Sequence, residues 1–315
     1  MKKGRASRTA EGAAAARALH RFGVPDPLFD DPYALHFTSP AWRMLMSLPG
    51  LGTWVNRSLM RPLRPVQAQV LVRSRYAEDQ LAAALAQVGA AQSGCGDDGR
   101  GAQQDAHPAG RSAIGQYVIV GAGFDSFALR RTEWAQSLRI YELDHPDTQL
   151  AKRQRLHKVS RGLPKNTEFV PVDFERETVA TALQRSSFDS ASPAFFSWLG
   201  TTPYLSNEAT LATLQAIAEV ATTGSQLVFD YMIPQALLHG EQLEMMQTLR
   251  GYTERRNEPL CGDIDPQRLR AAVQAMGFEW LEELDGHKQY ERYFAARQDD
   301  LVPMHATHLV HLRRC

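Results

Sequence analysis

The chain has 315 residues, of which 43% are apolar and 22% charged, with equal numbers of basic and acidic side chains. This composition is typical of a globular protein with one large domain. The zero net charge excludes a general attraction to nucleic acid or anionic lipid, and no apolar run approaches the ~20 residues of a membrane span.

The cysteines and the N-terminus indicate the compartment. Cys95, Cys261 and Cys315 are far apart and fit neither a metal motif nor a disulfide framework, which favours a reducing cytoplasm. The basic N-terminus lacks the long apolar core of a secretory signal. We therefore expect a cytoplasmic protein.

The first 90 residues predict helices. Residues 10–22 are rich in Ala, and a long helix is expected to begin near Pro65, a residue suited to the first turn. Residues 92–112 are rich in Gly, Asp and Gln and nearly lack large apolar side chains. We therefore expect a flexible surface loop over residues 91–113.

From residue 114 onward, strand and helix patterns alternate, which predicts a parallel sheet with right-handed crossovers. Strands are predicted at 116–121, 138–143, 167–172, 194–199, 225–231, 278–284 and 305–312. Helices are predicted at 125–136, 147–158, 175–185, 207–221 and 265–277. The resulting single domain comprises N-terminal helices (1–90), the loop (91–113), a cofactor-binding core (114–231), a lid insertion (232–264) and a C-terminal part of the sheet (265–315).

The turn after the first predicted strand is the most informative segment. Apolar residues 117–120 lead into Gly-Ala-Gly at 121–123, and the next strand closes on Asp144. This pattern is typical of an open α/β sheet that binds a nucleoside-containing cofactor where its strands end. Ser126 stands where the dinucleotide fingerprint has its third glycine, and the carboxylate of Asp125 is an unfavourable neighbour for a diphosphate.

A ligand without phosphate that carries an amino group suits this turn better. S-adenosyl-L-methionine fits, because it combines a nucleoside with an ammonium, a sulfonium and one carboxylate. The structural alternative is that the glycines form only a tight turn and that Asp125 or Ser126 caps a helix.

Several segments carry a family resemblance: DDPYA at 30–34, RSRYAEDQL at 73–81, VIVGAGFDSFALR at 118–130, YELDHPDTQLAKR at 141–153, FVPVDFE at 169–175, WLGTTPYLS at 198–206 and EPLCGDIDP at 258–266. On these segments the chain resembles the leucine carboxyl methyltransferase-like family. It is most similar to the bacterial branch of S-adenosylmethionine-dependent O-methyltransferases, which looks to include polyketide-tailoring enzymes. The resemblance implies an α/β class I methyltransferase (Rossmann-like) fold: a seven-stranded, mostly parallel sheet with a reversed last strand, a helical N-terminal extension and a lid insertion after strand five.

The resemblance also implies a cofactor site at the ends of the strands. The glycine turn would contact the cofactor, with Asp125 near its amino-acid end. Asp144 would bind the ribose hydroxyls, with Glu142 as the alternative, and Asp173 and Phe174 would hold the adenine. The positions assigned to the cofactor are Arg73, Gly121, Ala122, Gly123, Asp125, Asp144, Asp173, Phe174 and Leu199.

The resemblance assigns Arg73 of the long helix to the methionine carboxylate, which a planar guanidinium binds with two parallel hydrogen bonds. Arg75 is the alternative partner. Many relatives carry Glu where this chain has Leu199, so the contact to the cofactor amine must come from elsewhere, such as backbone carbonyls. Tyr204 and Met245 are expected to line the substrate pocket.

These assignments have structural alternatives. Arg73 could form a helix-surface ion pair, Asp173 could cap the following helix, and Phe174 and Tyr204 could belong to the core. The insertion that contains Met245 could be a packed helical appendage.

The expected function is an O-methyltransferase acting on a small-molecule carboxylate or hydroxyl. A carboxylate acceptor, with a pKa near ~4, is already ionised and needs no base, whereas a phenol would be helped by one, and a histidine would be the first candidate. No catalytic residue, metal site or oligomeric state is assigned. The alternatives are a nicotinamide-dependent oxidoreductase that uses the same turn with Glu142, and a non-catalytic binding module.

Overall fold

The computed structural model describes residues 7–93 and 114–315, apart from positions 23, 49, 60, 158, 160–162, 256 and 257. The long N-terminal helix continues to Ser93, three residues into the segment expected as a loop over 91–113. The rest of that expected loop lies outside the described residues.

One sheet forms the centre of the molecule. Its strands are β1 (Gln116–Val120), β2 (Arg139–Asp144), β3 (Thr167–Pro171), β4 (Ala194–Trp198), β5 (Gln226–Met232), β6 (Phe278–Leu284) and β7 (Thr307–Arg314). They lie in the order β3-β2-β1-β4-β5-β7-β6. The strands from β3 across to β5 pair in parallel, whereas β7 runs antiparallel to both β5 and β6. The predicted seven-stranded α/β sheet with a reversed last strand is confirmed.

The helices cover both faces and the carboxyl ends of the parallel strands. They are α1 (Arg8–His20), α2 (Pro40–Ser47), α3 (Leu51–Trp54), α4 (Arg64–Ser93), α5 (Phe127–Arg130), α6 (Thr132–Ala135), α7 (Pro146–Leu156), α8 (Val179–Gln184), α9 (Asn207–Val220), α10 (Gly240–Glu254), α11 (Pro266–Ala275) and α12 (Gly286–Tyr293). Short 3-10 helices lie at Ala34–Phe37, Arg61–Leu63, Thr202–Tyr204 and Gln235–Leu237, and a π-helical turn at Val55–Leu59. No helix in this described part is both long and apolar enough to cross a membrane.

Two helical predictions need correction. The helix expected at 125–136 is broken into α5 and α6 at Arg131, whose backbone leaves the helical region. The helix expected at 175–185 begins only at Val179, because the hydroxyl of Thr178 accepts from Thr181 N and fixes the start there. Helix α12, between β6 and β7, was not predicted.

Both faces of the central strands β1, β4 and β5 are buried, as expected for strands covered by crossover helices. On one face Val118 and Phe229 pack in a core cluster shared with α8, α9 and α11. On the other face Ile119 and Val228 pack against α4 through residues such as Leu71. Helix α4 therefore crosses the sheet and brings its own polar residues to the strand ends.

The insertion at 232–264 is packed on this core. Leu238, Met246, Leu260 and Ile264 are buried and join the cluster that contains Phe229. This is the packing expected of a helical appendage, and the division into core and lid stays a prediction.

Candidate cofactor site

The glycine turn follows β1 directly and adopts a backbone that only glycine takes up readily. Gly121 and Gly123 have φ values of +68° and +51°, in the left-handed region. A Cβ atom on Gly121 would lie 3.2 Å from Thr201 Oγ1, and one on Gly123 would lie 3.0 Å from Ala10 Cβ. The turn is therefore enclosed between helix α1 and the loop after β4, and the backbone of Ala122 is tied to β2 by a hydrogen bond from its N–H to the carbonyl oxygen of Leu143 at 2.9 Å.

Asp144, at the end of β2, faces this turn. Its two carboxylate oxygens accept from Gly123 N at 2.5 Å and from His145 N at 2.7 Å. Burial raises the pKa of Asp144, although these two N–H groups oppose the rise. A carboxylate offers about four lone-pair sites, so Asp144 keeps capacity for the hydroxyls of a ribose.

Glu142, the alternative to Asp144, forms a buried ion pair with a lysine. It is almost fully buried and pairs with the equally buried Lys152 of α7 at 2.5 Å. Burial raises the pKa of Glu142, and Lys152 opposes that rise. The structure therefore favours Asp144 over Glu142 as the carboxylate that meets a ligand.

Asp125 binds the first N–H group of helix α5, while Ser126 holds the N-cap position without a capping hydrogen bond from its side chain. The Asp125 carboxylate accepts from Phe127 N at 2.6 Å, at the start of α5. The contact of Asp125 Oδ1 at the start of α5 is thus close to the helix-capping role that the sequence analysis gave as an alternative. A second role beside the cofactor's amino-acid end stays a prediction.

A buried ion network supports the turn from behind. Asp31 accepts from Arg17 Nε at 2.8 Å and from Ser126 Oγ at 2.6 Å, and Arg17 also donates to the carbonyl oxygen of Phe124 at 2.6 Å. Burial alone would raise the pKa of Asp31, but Arg17, Arg130 and the Ser126 hydroxyl together hold it below its usual value. Asp31, the second residue of the DDPYA motif, therefore supports the glycine turn.

The RSRYAEDQL motif supplies a second support through Glu78. Its carboxylate binds Arg130 Nη2 at 2.5 Å and Arg131 Nε at 2.9 Å, at the break between α5 and α6. Sequence reasoning used both motifs as family signatures and assigned no role to Asp31 or Glu78. Such pairs join residues dozens of positions apart, and no local pattern indicates them.

Arg73 lies over the loop after β4, at the end of β5. A Cβ atom on Gly200 would lie 2.3 Å from the Arg73 guanidinium, so this group rests directly on the Gly200 backbone. Arg73 Nη1 lies 3.5 Å from Asp230 Oδ2, and the two side chains are 16% and 1% exposed. By contrast, Arg75 is 44% exposed and pairs with Asp79 along the surface of α4. Arg73 is therefore the better of the two candidates for a ligand carboxylate.

Asp230 lies beside Arg73 and Gly200 and was not among the residues assigned from the sequence. Its Oδ1 accepts from Gly200 N at 2.6 Å, and its carbonyl oxygen accepts from Thr202 Oγ1 at 2.6 Å. Burial raises the pKa of Asp230, while Arg73 and the Gly200 N–H oppose the rise. The available signal was a single acidic residue within the apolar strand QLVFDYM.

Tyr204 and Met245 pack against the core cluster of β5 and are partly buried. Burial raises the pKa of the Tyr204 hydroxyl, and the side chain of Thr9 in α1 lies within its hydrogen-bonding reach. Thr9 Oγ1 in turn donates to Glu258 Oε2 at 3.0 Å. Tyr204 therefore lies where helix α1, the end of the insertion and the Arg73 region come together.

Asp173 and Phe174 follow β3, next to the end of β2. Val172 N donates to the carbonyl oxygen of Asp144, which places the two residues just beyond Asp144. Asp173 accepts from Glu175 N at 3.2 Å within a turn, whereas the following helix α8 begins only at Val179 with Thr178 as its cap, so the alternative in which Asp173 caps that helix is wrong. Phe174 is 38% exposed, which is high for its ring and leaves a face available for stacking.

Leu199 packs with the apolar cluster beneath α4 and offers no polar atom from its side chain. The structure therefore brings Arg73, the glycine turn, Asp144 and Leu199 to the same edge of the sheet, with Asp173 and Phe174 beyond Asp144. Among the described residues, no three His, Cys, Asp or Glu side chains are grouped as a metal ion would require.

The fold is shared with solved structures of low sequence similarity. A DUF574 family protein from Streptomyces avermitilis superimposes with a TM-score of 0.58 at 12% identity, over 98% of this chain and 100% of that one. A candidate methyltransferase from Thermobifida fusca superimposes with a TM-score of 0.56 at 14% identity, over 99% of this chain and 96% of that one. These matches support the class I methyltransferase fold.

Sequence relatives carry names that agree with the predicted cofactor. A Bacillus subtilis protein named as a candidate S-adenosyl-L-methionine-dependent methyltransferase is 28% identical over 62% of this chain. This chain spans 64% of the length of that relative. A Mycolicibacterium smegmatis protein with the same kind of name is 29% identical over 74% of this chain and 69% of its own length.

A family model described as leucine carboxyl methyltransferase matches residues 10–110 and 100–218. The match includes the glycine turn, Asp144 and the two supporting motifs. It extends over more than half of the chain and confirms the predicted resemblance. The chain therefore belongs to the leucine carboxyl methyltransferase family.

Proposed function

We propose that this chain is an S-adenosyl-L-methionine-dependent methyltransferase that methylates an oxygen atom of a small-molecule acceptor. The observation that carries the proposal is the hydrogen bond from Gly123 N to the carboxylate of Asp144. In a dinucleotide site, N–H groups of the turn are directed at phosphate oxygens. Here one of these N–H groups is already satisfied by the Asp144 carboxylate and is therefore not directed at a phosphate oxygen. A neutral ribose with hydroxyl donors suits the same position.

Family membership supports the same cofactor and disfavours the nicotinamide alternative. The residues present would hold the cofactor as follows: Asp144 the ribose, Phe174 the adenine face and Arg73 the methionine carboxylate. The cofactor supplies an activated methyl group, and the protein must align the acceptor oxygen with it.

The acceptor that the site favours is a carboxylate, which gives a methyl ester. Because burial raises its pKa, Tyr204 stays protonated at neutral pH and can donate a hydrogen bond but cannot act as a base. His145, which follows Asp144, accepts from Asp147 N at 3.2 Å at the start of α7. A carboxylate arrives ionised and needs no base. Tyr204 and Met245 stay our candidates for the wall of the acceptor pocket.

Thermal unfolding with four ligands tests the cofactor. S-adenosylhomocysteine and S-adenosylmethionine should raise the melting temperature, because a ligand at about 100 times its Kd stabilises the native state by roughly 2.7 kcal/mol. NADH and NADPH should not. Stabilisation by a nicotinamide cofactor without any by S-adenosylhomocysteine would contradict the proposal.

A panel of carboxylic acids and phenols with matched ring systems tests the acceptor. Methyl-deuterated cofactor and mass spectrometry would identify the product, and we expect methyl esters. Methylation of phenols alone would overturn the choice of carboxylate. Binding of S-adenosylhomocysteine without turnover of any acceptor would favour the non-catalytic alternative.

A further inference from the structure

Leu199 and Asp230 follow a pair of residues that are neighbours in the sheet. The parallel register of β4 and β5 ends with Trp198 beside Phe229, and Leu199 is the first residue after β4 while Asp230 is the next residue of β5. Leu199 packs in the cluster on the α4 face of the sheet. Phe229 points to the opposite face, so Asp230, the next residue of β5, points to the α4 face as Leu199 does. An acidic side chain is therefore present one strand away from the position where Leu199 offers none.

Asp230 is buried but not fully engaged. Gly200 N donates to Oδ1 at 2.6 Å, whereas the contact from Arg73 Nη1 to Oδ2 is 3.5 Å long. Charge-assisted hydrogen bonds of good geometry are about 2.7–2.9 Å long. Both Asp230 and Arg73 thus have hydrogen-bonding capacity left at the edge of the sheet where the cofactor is proposed to bind.

We propose that Asp230 binds the ammonium group of the cofactor while Arg73 binds its carboxylate, so that the two residues form a paired site for an α-amino acid. The inference rests on the proposed function and extends it to a residue on β5. An amino-acid group carries opposite charges on one carbon, and two opposite charges side by side in the protein match it with each charge facing its counterpart. The ammonium and carboxylate groups of the cofactor and the side chains of Asp230 and Arg73 would then each face a group of opposite charge.

The apolar side chain of Leu199 agrees with this arrangement. A glutamate at that position would place a second carboxylate beside the buried Asp230, and like charges at such a distance disfavour ionisation of both. One acidic side chain, on either strand, is sufficient to compensate one ammonium group. In this chain the carboxylate for the ammonium group would therefore come from Asp230 on β5, whereas many relatives carry a glutamate at the position of Leu199, after β4.

The test compares three ligands by calorimetry with the wild-type chain and Asp230→Asn. The ligands are S-adenosylhomocysteine, its analogue without the amino group, and 5′-methylthioadenosine, which lacks the whole amino-acid end. Asp230→Asn should weaken S-adenosylhomocysteine about 10- to 100-fold, the range for a hydrogen bond to a charged group. It should leave the other two ligands unchanged. Glu283→Gln is the control, since it makes the same chemical change at a part-buried carboxylate held by Tyr231 and His308.

A second pair of variants separates ligand binding from folding. Asp230→Leu should lose affinity for S-adenosylhomocysteine, and Asp230→Leu combined with Leu199→Glu should regain most of it. Equal weakening of the analogue without the amino group by Asp230→Asn would mean that Asp230 acts only through Arg73 or Gly200, and would overturn the assignment. Unchanged affinity for S-adenosylhomocysteine would also overturn it. Failure of the wild-type chain to bind S-adenosylhomocysteine would instead refute the proposed function itself.

Discussion

Replacing Gly200 with alanine tests the placement of Arg73 without changing a charged group. Gly200 has a φ of +71°, and an added Cβ would lie 2.3 Å from three atoms of the Arg73 guanidinium. Ordinary contacts begin near 3.4 Å. The guanidinium must therefore move by roughly 1 Å or more, which is enough to break a bidentate hydrogen-bond geometry.

The expected magnitudes follow from these two effects. A left-handed backbone costs an L-residue roughly 1–2 kcal/mol, so the free energy of unfolding should fall by about that amount. Loss of hydrogen bonds to a charged carboxylate costs about 1.5–3 kcal/mol, which corresponds to a roughly 10- to 150-fold weaker affinity for S-adenosylhomocysteine. Because 5′-methylthioadenosine has no carboxylate, its affinity should not change.

Gly224→Ala is the matched control for this experiment. Gly224 also has a left-handed φ, +87°, but the atom nearest to an added Cβ is Pro193 Cγ at 3.9 Å. This variant should show a similar loss of stability with normal affinity for S-adenosylhomocysteine. The role of Arg73 would be refuted if the two variants bound S-adenosylhomocysteine with equal affinity. It would also be refuted if Gly200→Ala weakened S-adenosylhomocysteine and 5′-methylthioadenosine equally. Chemical denaturation and calorimetry on the same preparations provide both measurements.

Three further predictions concern the buried carboxylates. Asp144→Asn should weaken S-adenosylhomocysteine and 5′-methylthioadenosine alike by about 10-fold or more, because both contain the ribose; calorimetry that shows a loss for only one of them would contradict this role. Lys152→Met leaves Glu142 buried without its partner, so denaturation at pH 7 should show a loss of about 3–5 kcal/mol, which becomes smaller in acid as Glu142 takes up a proton. Burial raises the pKa of Asp230, so the folded state binds the proton of the Asp230 carboxyl group more tightly than the unfolded state does. The stability of the wild-type chain relative to Asp230→Asn should therefore fall as the pH rises from the ordinary aspartate pKa through the raised one; a difference that is constant with pH would contradict the expectation.

The sequence predicted the sheet better than it predicted the contacts around the site. Strands such as β1 and β4 are short, buried apolar runs, and their positions follow from local composition. Helix α12 is polar, and its buried Gln289 donates to the carbonyl oxygens of Leu284 and Thr307 on neighbouring strands. Its place in the structure depends on those strands, and the local signal that the prediction did not use is its N-cap Asp285, whose carboxylate accepts from Lys288 N.

The candidate site shows the same division. The glycine turn and Asp144 are recognisable because their spacing reflects local backbone geometry. The roles of Asp31, Glu78 and Asp230 depend on partners from distant segments, and charge alone in a sequence does not identify the partner. The assignments of Phe174 and Met245 stay predictions that the ligand and acceptor experiments can test.

The supports behind the glycine turn limit how this molecule can be divided. Asp31 and Glu78 come from the N-terminal helical part, yet they satisfy Arg17, Arg130 and Arg131 around the turn. A shortened chain that kept only residues 114–315 would lack Asp31 and Glu78, the two carboxylates that form ion pairs with Arg130. For protein engineering, the helical extension is therefore an integral component of the region around the glycine turn and should not be exchanged as an independent module.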